Sequence, residues 1–460
     1  MKNRLFLLWI VVIFIVSVSG SFAEDLVYED YVYAILSDGT AEITGYTGEE
    51  TYLTIPERVN EDIPVSSIGS SVFAYNDSLE TVIVPEGIVS IGDHGFAECT
   101  ALESVSLPES LQWLGDLVFQ GDIKLSEITL PANLVRIGMN PFDRCGSLEA
   151  FEISEDNIYY LTEEGILYDR KANALLAYPA GKADTNYTVP EWVTDISAAA
   201  FSENGFITEI TLHENITAME GNPFCGCQNL KAIAISALNL DFEIRNNTLI
   251  NRQKKELIAW LWGSDNDSYS VPSGIRSIGN EAFYKHKELQ KINLPETLVY
   301  IGDAAFAESG LITVKIPNNV VSIGSNAFSG CEALETVTLP SNLSQIERYT
   351  FSRCSNLKDI QFPKTVNVIG EGAFYNCVSL TELELPENLY VIGDYAFLSC
   401  TALTTVDFPE RLFSIGRGAF YGAENLTATV APGSLAEEWA IQSQVPFIHK
   451  NVTYVTTESI

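Results

Sequence analysis

Ile369-Gly-Glu-Gly-Ala-Phe-Tyr-Asn-Cys-Val-Ser-Leu-Thr-Glu-Leu-Glu-Leu-Pro-Glu-Asn-Leu-Tyr-Val391 is followed at Ile392 by another Ile-Gly that starts the pattern again. Within it, Leu383 and Leu385 alternate with Glu382 and Glu384, the period of a short strand buried on one face. Pro386 ends that strand, since it has no N–H to give a ladder. Leu389 and Ile392 begin a second extended piece, Gly393 permits a tight turn, and Ala396 and Phe397 turn inward to fill the coil. The pattern occurs thirteen times, anchored at Ile68, Ile91, Leu114, Ile137, Ile196, Met219, Ile278, Ile301, Ile323, Ile346, Ile369, Ile392 and Ile415. Each anchor has a Phe five residues on, from Phe73 to Phe420, and the spacing within a run is 23, with a single 22 after Ile301. A fixed period of this size marks a solenoid of stacked coils.

One coil cannot bury its apolar edge alone. Stacked coils share ladders at about 4.8 Å, so the expected body is a rod roughly 60 Å long with every repeat Phe in one internal file. Two intervals break the period, Ile137 to Ile196 and Met219 to Ile278, each a 59-residue step. Both hold an apolar-polar-apolar pair, around Ile166–Tyr178 and Leu249–Trp260, that suggests a hairpin with a polar turn. Equal lengths argue for a duplicated unit of about 82 residues rather than two unrelated insertions. Trp260 and Trp262 make the second excursion a candidate adhesive platform.

The repeat resembles the BspA-like leucine-rich-repeat family over about residues 27–445. Tyr33-Ala-Ile-Leu-Ser-Asp-Gly-Thr-Ala-Glu-Ile-Thr-Gly-Tyr-Thr-Gly, then Thr54-Ile-Pro, is similar to that family's N-terminal segment, and Gly433-Ser-Leu-Ala-Glu-Glu-Trp-Ala to its closing helix. The expected fold is therefore a β-rich leucine-rich-repeat solenoid of about 13 stacked coils, with two hairpin-like excursions and a short C-terminal capping helix. Its divisions are a signal peptide at 1–23, an N-terminal cap at 24–65, and repeats at 66–153, 191–236 and 272–432. Excursions fill 154–190 and 237–271, and a cap with its tail fills 433–460. The resemblance implies a secreted or surface-associated protein that adheres to a host or neighbouring cell.

Lys2 and Arg4 precede the apolar run Leu5–Val18, and Ser21-Phe22-Ala23 offers small residues for cleavage, the make-up of a secretory leader too short to span a membrane comfortably. The formal charge is -35. Such a surface repels phosphate backbones and anionic lipid, so nucleic acid is excluded as a partner, and the mature chain has no transmembrane segment.

Seven of the eight cysteines lie three residues past a repeat Phe: Cys99, Cys145, Cys227, Cys331, Cys354, Cys377 and Cys400. Elsewhere that column holds residues such as Asn76, Asp122, Asn204, His286 and Ser309, so it wants a small group or one able to bond backbone at a turn. The last four cysteines sit in successive coils, near enough for disulfides in an exported chain. No zinc spacing, nucleophile elbow or His-Glu-x-x-His occurs, and no cofactor or metal is expected.

Two outward columns flank the buried strand residue. Asp359, Glu382, Glu384 and Asp407 lie on three neighbouring coils, with Glu384 and Asp407 sharing a column about 5 Å apart. Such an acid pair suits a solvated face, a divalent cation, or the carboxylates of a polysaccharide-degrading enzyme. Exposed rings at Trp113, Tyr300, Tyr375, Tyr390, Phe413 and Tyr421 point instead to recognition, because aromatic groups dominate interface energies. The sequence is thus read as a non-enzymatic, exported rod that recognises an extracellular protein or glycan. A calcium-dependent binder, an acid-pair enzyme and a structural envelope spacer remain as alternatives.

Overall fold

The computed structural model describes residues 26–60, 62–262 and 267–450. The leader reading of 1–23 and the tail from 451 onward lie outside them.

The chain forms a β-solenoid in which every repeat feeds three parallel ladders. Glu382–Glu384 pairs with Thr405–Asp407, and Val391–Ile392 with Ser414–Ile415, both in 23-residue register. The third ladder runs through the turn: Gly372, Phe374 and Asn376 N–H groups donate to Asp394, Ala396 and Leu398 carbonyls at 2.8–2.9 Å. Left-handed residues alternate with the others along this arc, Gly372 at φ 54° and Asn376 at φ 59°. That alternation aims every second N–H at the next coil.

The glycine after the anchor has a different purpose from the expected one. Gly393 is absent from the left-handed positions, which fall at Gly372, Tyr395 and their counterparts. A Cβ on Gly393 would lie 2.6 Å from the Glu371 nitrogen of the preceding coil. Gly92, Gly302 and Gly370 would each meet backbone at 2.7 Å. Close stacking, not backbone freedom, selects glycine there.

The repeat Phe rings are buried and stacked, but in three files rather than one. Phe73, Phe96, Phe119 and Phe142 stack at 4.9–5.7 Å within 5° of parallel. Phe201 and Phe224 follow Tyr178, and Phe283 through Phe420 follow Trp260. The core divides the same way, into clusters from Tyr31 to Leu167, Ile166 to Leu261 and Ile250 to Ala436.

The breaks fall at the two excursions, which are three-stranded antiparallel meanders: Tyr160–Glu163, Ile166–Asp169, Ala174–Ala177, and Phe242–Arg245, Thr248–Asn251, Glu256–Trp260. The third strand of each re-enters the solenoid, with Leu175 beside Ile196 and Leu257 beside Ile278. Tyr178 and Trp260 then occupy the repeat-Phe position, their N–H groups donating to Ala200 and Ala282 as the Phe residues' do. Each excursion therefore adds turns of its own, and together with the N-terminal strand Ala41–Tyr46 these bring the solenoid to about 18 turns, above the expected 13.

Both ends are covered, which blunts the open ladders. Tyr46 lies tilted against Phe73 at one end. At the other, the expected helix spans Leu435–Gln442, capped by the Ser434 side chain, and sets Trp439 5.2 Å from Phe420.

Candidate recognition surface

The cysteine column comes first because it holds the turn in place. All eight cysteines are buried free thiols. In the column, each Sγ donates to the carbonyl of the repeat Phe one coil back: Cys99 to Phe73, Cys354 to Phe328, Cys377 to Phe351, Cys400 to Phe374, at 3.1–3.2 Å. His286 does the same towards Trp260 and Asn204 towards Pro179. Cysteine, histidine and asparagine there donate to the preceding turn, Ala423 shows that a small apolar group also fits, and the disulfides that the spacing allowed are not formed.

Of the six aromatic candidates, the structure brings together one pair. Tyr390 and Phe413 stack at 4.9 Å and 6°, and they are 49% and 65% exposed. Their N–H groups hang on successive coils, Phe413 donating to Tyr390 at 2.9 Å, so the backbone ladder fixes the ring spacing. Val89, Val135 and Val321 are exposed at the equivalent position, two residues before the anchor. Trp113 and Tyr300 are exposed one residue later in the repeat, and far apart: Trp113 has Ser90 and Arg136 as register neighbours, Tyr300 has Ser277 and Ser322. Tyr375 and Tyr421 lie on the turn ladder, two coils apart with Leu398 between them. Tyr421 is exposed and Tyr375 half-buried. Trp260, expected as an adhesive group, is 3% exposed and belongs to the core. Trp262 stacks on His286 at 4.0 Å.

The acidic column is as exposed as expected, and Glu384 and Asp407 are register partners. Asp359 pairs with Thr336 in a separate sheet and makes no ladder with Glu382. Lys450 reaches Asp407 at 2.6 Å and relieves the repulsion that the pairing would create. Among the described residues, no three His, Cys, Asp or Glu side chains gather in a way that holds a metal ion.

Sequence reasoning missed a second polar assembly, on the turn face. The meanders reach the aromatic position in three residues (Leu175 to Tyr178, Leu257 to Trp260) where ordinary coils use five, so their turns are recessed. The coils on either side close over the gap. Ser202 donates to Asp143 at 2.5 Å across 59 residues, and Asn222 donates to the Glu281 carbonyl across another 59. Lys285 meets Glu203 at 2.5 Å across 82 residues. Arg144 bonds Asp143 and Glu98 at 3.4 and 3.3 Å. Burial opposes its charge, but Asp143, Tyr284 and Glu98 outweigh that and hold its pKa above the ordinary value. Burial, then Asp143, pushes the Glu281 carboxyl up to about 7. Asp143, Arg144, Ser202, Glu281 and Tyr284 line a cavity of about 670 Å³. The matching 59-residue steps were the only sign of it in the sequence.

Residues 64–165, 182–255, 262–370 and 322–438 match the BspA type Leucine rich repeat region, in six copies. The chain belongs to the BspA-type leucine-rich-repeat family. Members of this family are bacterial surface proteins, and their repeat supports a recognition role. A leucine-rich repeat protein from Eubacterium ventriosum is similar at 22% identity and a TM-score of 0.51, covering 86% of this chain and 93% of its own. A leucine rich cell surface protein from Faecalibacterium prausnitzii is 23% identical, with a TM-score of 0.36 and coverage of 90% and 97%. The pneumococcal vaccine antigen PcpA is 17% identical, with a TM-score of 0.35 and coverage of 93% and 98%. No curated protein matches the chain. As in other BspA-type proteins the leucine-rich repeat is a scaffold for binding, and no helix among the described residues is long and apolar enough to cross a membrane.

Proposed function

We propose that this BspA-type rod is exported and recognises an extracellular protein or glycan, adhering to a host or neighbouring cell through its C-terminal coils. The observation that carries this reading is the parallel, exposed Tyr390–Phe413 pair. Neither ring supports the core, and a polar side chain would serve as well for solubility. Two rings held at fixed spacing by a ladder lose little side-chain entropy on binding, which favours them as anchors for an apolar side chain or the CH face of a sugar. Trp113, Tyr300, Tyr375 and Tyr421 extend the contact as separate points, and Asp359, Glu382, Glu384 and Asp407 set its charge. The calcium-dependent and enzymatic alternatives gain no support from Asp407, whose carboxylate already has Lys450 as its cation.

The test is an array of glycans and extracellular-matrix proteins probed with the chain and with Tyr390→Ala/Phe413→Ala. A ligand that binds the parent should bind the variant at least tenfold more weakly, with an unchanged melting temperature. Equal binding by both removes the ring pair from the site. Binding that survives Tyr390→Ala/Phe413→Ala but is lost in Glu384→Gln/Asp407→Asn, or on chelation, transfers the role to the acidic column.

A further inference from the structure

The cavity on the turn face lies away from the ring pair, and its make-up is unlike the rest of the rod. One wall carries Gln120, Asp143 and Arg144, and the floor carries Ser202, Cys225, Glu281 and Tyr284. The far wall is formed by Lys287, Glu308, Glu332 and Arg353 above small residues, Ala304, Ala307, Ser329 and Gly330. The small residues are decisive for shape. The position just past the repeat Phe is Tyr at Tyr284, Tyr375 and Tyr421, yet it is Ala307, Ser329 and Ser352 in the three coils between the first two of these. A trough therefore runs along the axis beyond Tyr284, and its 670 Å³ lies in the range of sites that enclose a ligand.

Charge narrows the occupant. Arg144 is spent on Asp143 and Glu98, and Lys285 on Glu203. Among the described residues, Glu281, Glu308 and Glu332 form no ion pair, and neither do Lys287 and Arg353. Glu281 is half-buried, its backbone carbonyl tied to Asn222 and its carboxyl beside Asp143, where an arriving cation gains from the lowered local dielectric. Glu308 follows one coil along and Arg353 three coils along. The rings beneath step by 5.0, 5.2 and 5.4 Å, so the trough reaches roughly 15 Å, the span of about four extended residues at 3.3–3.6 Å each. The turn N–H groups of Glu308, Gly330 and Arg353 are already given to the next coil. Recognition here is consequently by side chain and not by adding a strand.

We propose that this cleft is a second binding site, which takes an extended peptide segment with a lysine or arginine received between Glu281 and Glu308 and a carboxylate met by Arg353. The apposition of coils 59 and 82 residues apart exists only because of the two meanders. Duplication of the 82-residue unit thus creates the site.

A positional-scanning library of acetylated hexapeptides, probed with the full chain, should show Lys or Arg enriched at one position and Asp or Glu three or four residues away. Titration of the best peptide should weaken at least tenfold in Glu281→Gln/Glu308→Gln and measurably in Arg353→Gln, with no change in Tyr390→Ala/Phe413→Ala. Arg353 is exposed, so Arg353→Gln reports on the site even if the double variant folds poorly. The proposal falls if basic residues are not enriched, or if affinity is the same in the folded Glu-to-Gln and Arg353→Gln variants as in the parent. It also falls if spermidine displaces the peptide at equal concentration, which would make the site one for free amines.

Discussion

At the scale of single residues, the column three past each Phe shows how a hydrogen bond hides behind a small side chain. The sequence shows that the column tolerates Cys, Asn, Asp, His and Ser, and size suggests itself as the common property. The cysteines and His286 also give a hydrogen to a carbonyl one coil back, which becomes visible only once the 26-residue offset is a contact. Cys377→Ser should therefore be nearly neutral, while Cys377→Val should cost about 0.5–1.5 kcal/mol by removing one of the two hydrogen bonds to the Phe351 carbonyl, which keeps the Cys354 N–H, as urea unfolding would show. If valine is as stable as serine, the thiol is only filler. Asp122 is the instructive exception. One of its oxygens accepts from Cys99 N–H at 2.8 Å and the other has no partner. Burial pushes its carboxyl from 3.8 up to about 9. A proton held on the orphan oxygen would give Asp122 a donor like that of the cysteines in its column. The native chain then keeps a proton that the unfolded chain releases, so stability is greatest below the unfolded value and declines as pH rises from about 4 to about 9. Glu281, raised to about 7, adds to the decline over the lower part of that interval. Asp122→Asn carries the donor at every pH. Its advantage in urea midpoint over the parent should grow from pH 5 to pH 8.5, and a pH-independent difference would rule this account out.

At the scale of elements, the ordinary coil was readable in full from Ile369 to Val391: two short strands, their buried residues, the proline stop and the inward Phe. The reason for the glycine was not, since backbone freedom and close approach leave the same letter in the sequence. The φ of Gly393 is not left-handed, so the backbone alone would accept alanine. In Gly393→Ala, a Cβ 2.6 Å from the Glu371 nitrogen instead forces the coils apart, an overpacking cost of about 1–3 kcal/mol in thermal unfolding. The meanders were legible only as interruptions. A run such as Glu256–Trp260 has the same composition whether it forms the outer arm of a hairpin or a coil of the stack, and the choice rests on the parallel pairing of Leu257 with Ile278. That pairing turns Trp260 inward. Trp260→Ala should lower stability by about 3–5 kcal/mol, the cost of emptying a large core site, where an adhesive tryptophan would lower binding alone.

At the scale of the whole molecule, the acidic excess has partly structural uses. Asp93, Asp116, Asp303 and Asp394, each two residues past an anchor, accept the N–H of the next coil at 2.7–2.8 Å. Composition alone suggested only repulsion of phosphate backbones and anionic lipid. The larger consequence lies in how the core is divided. A solenoid coil contacts its neighbours and little else, so its stability is a sum of coil and interface contributions. Three stacked segments, whose cores are separate clusters that divide at the two meanders, have their weakest interfaces there. The segment from Ile250 to Ala436 holds the longest ring file, and the segment from Ile166 to Leu261 has only the Tyr178–Phe201–Phe224 file of its own. Unfolding should begin in that middle segment and proceed in more than one step. The calorimetric enthalpy should exceed the van't Hoff value, and native-state hydrogen exchange should show amides of 166–249 opening before those of 283–430. Cross-links such as Lys285 to Glu203 and Ser202 to Asp143 oppose this by tying the segments across the turn face, and Glu203→Gln should widen the gap between the steps. A single transition that coincides by every probe, in the parent and in Glu203→Gln, would mean that the meanders transmit packing as well as the ordinary coils do.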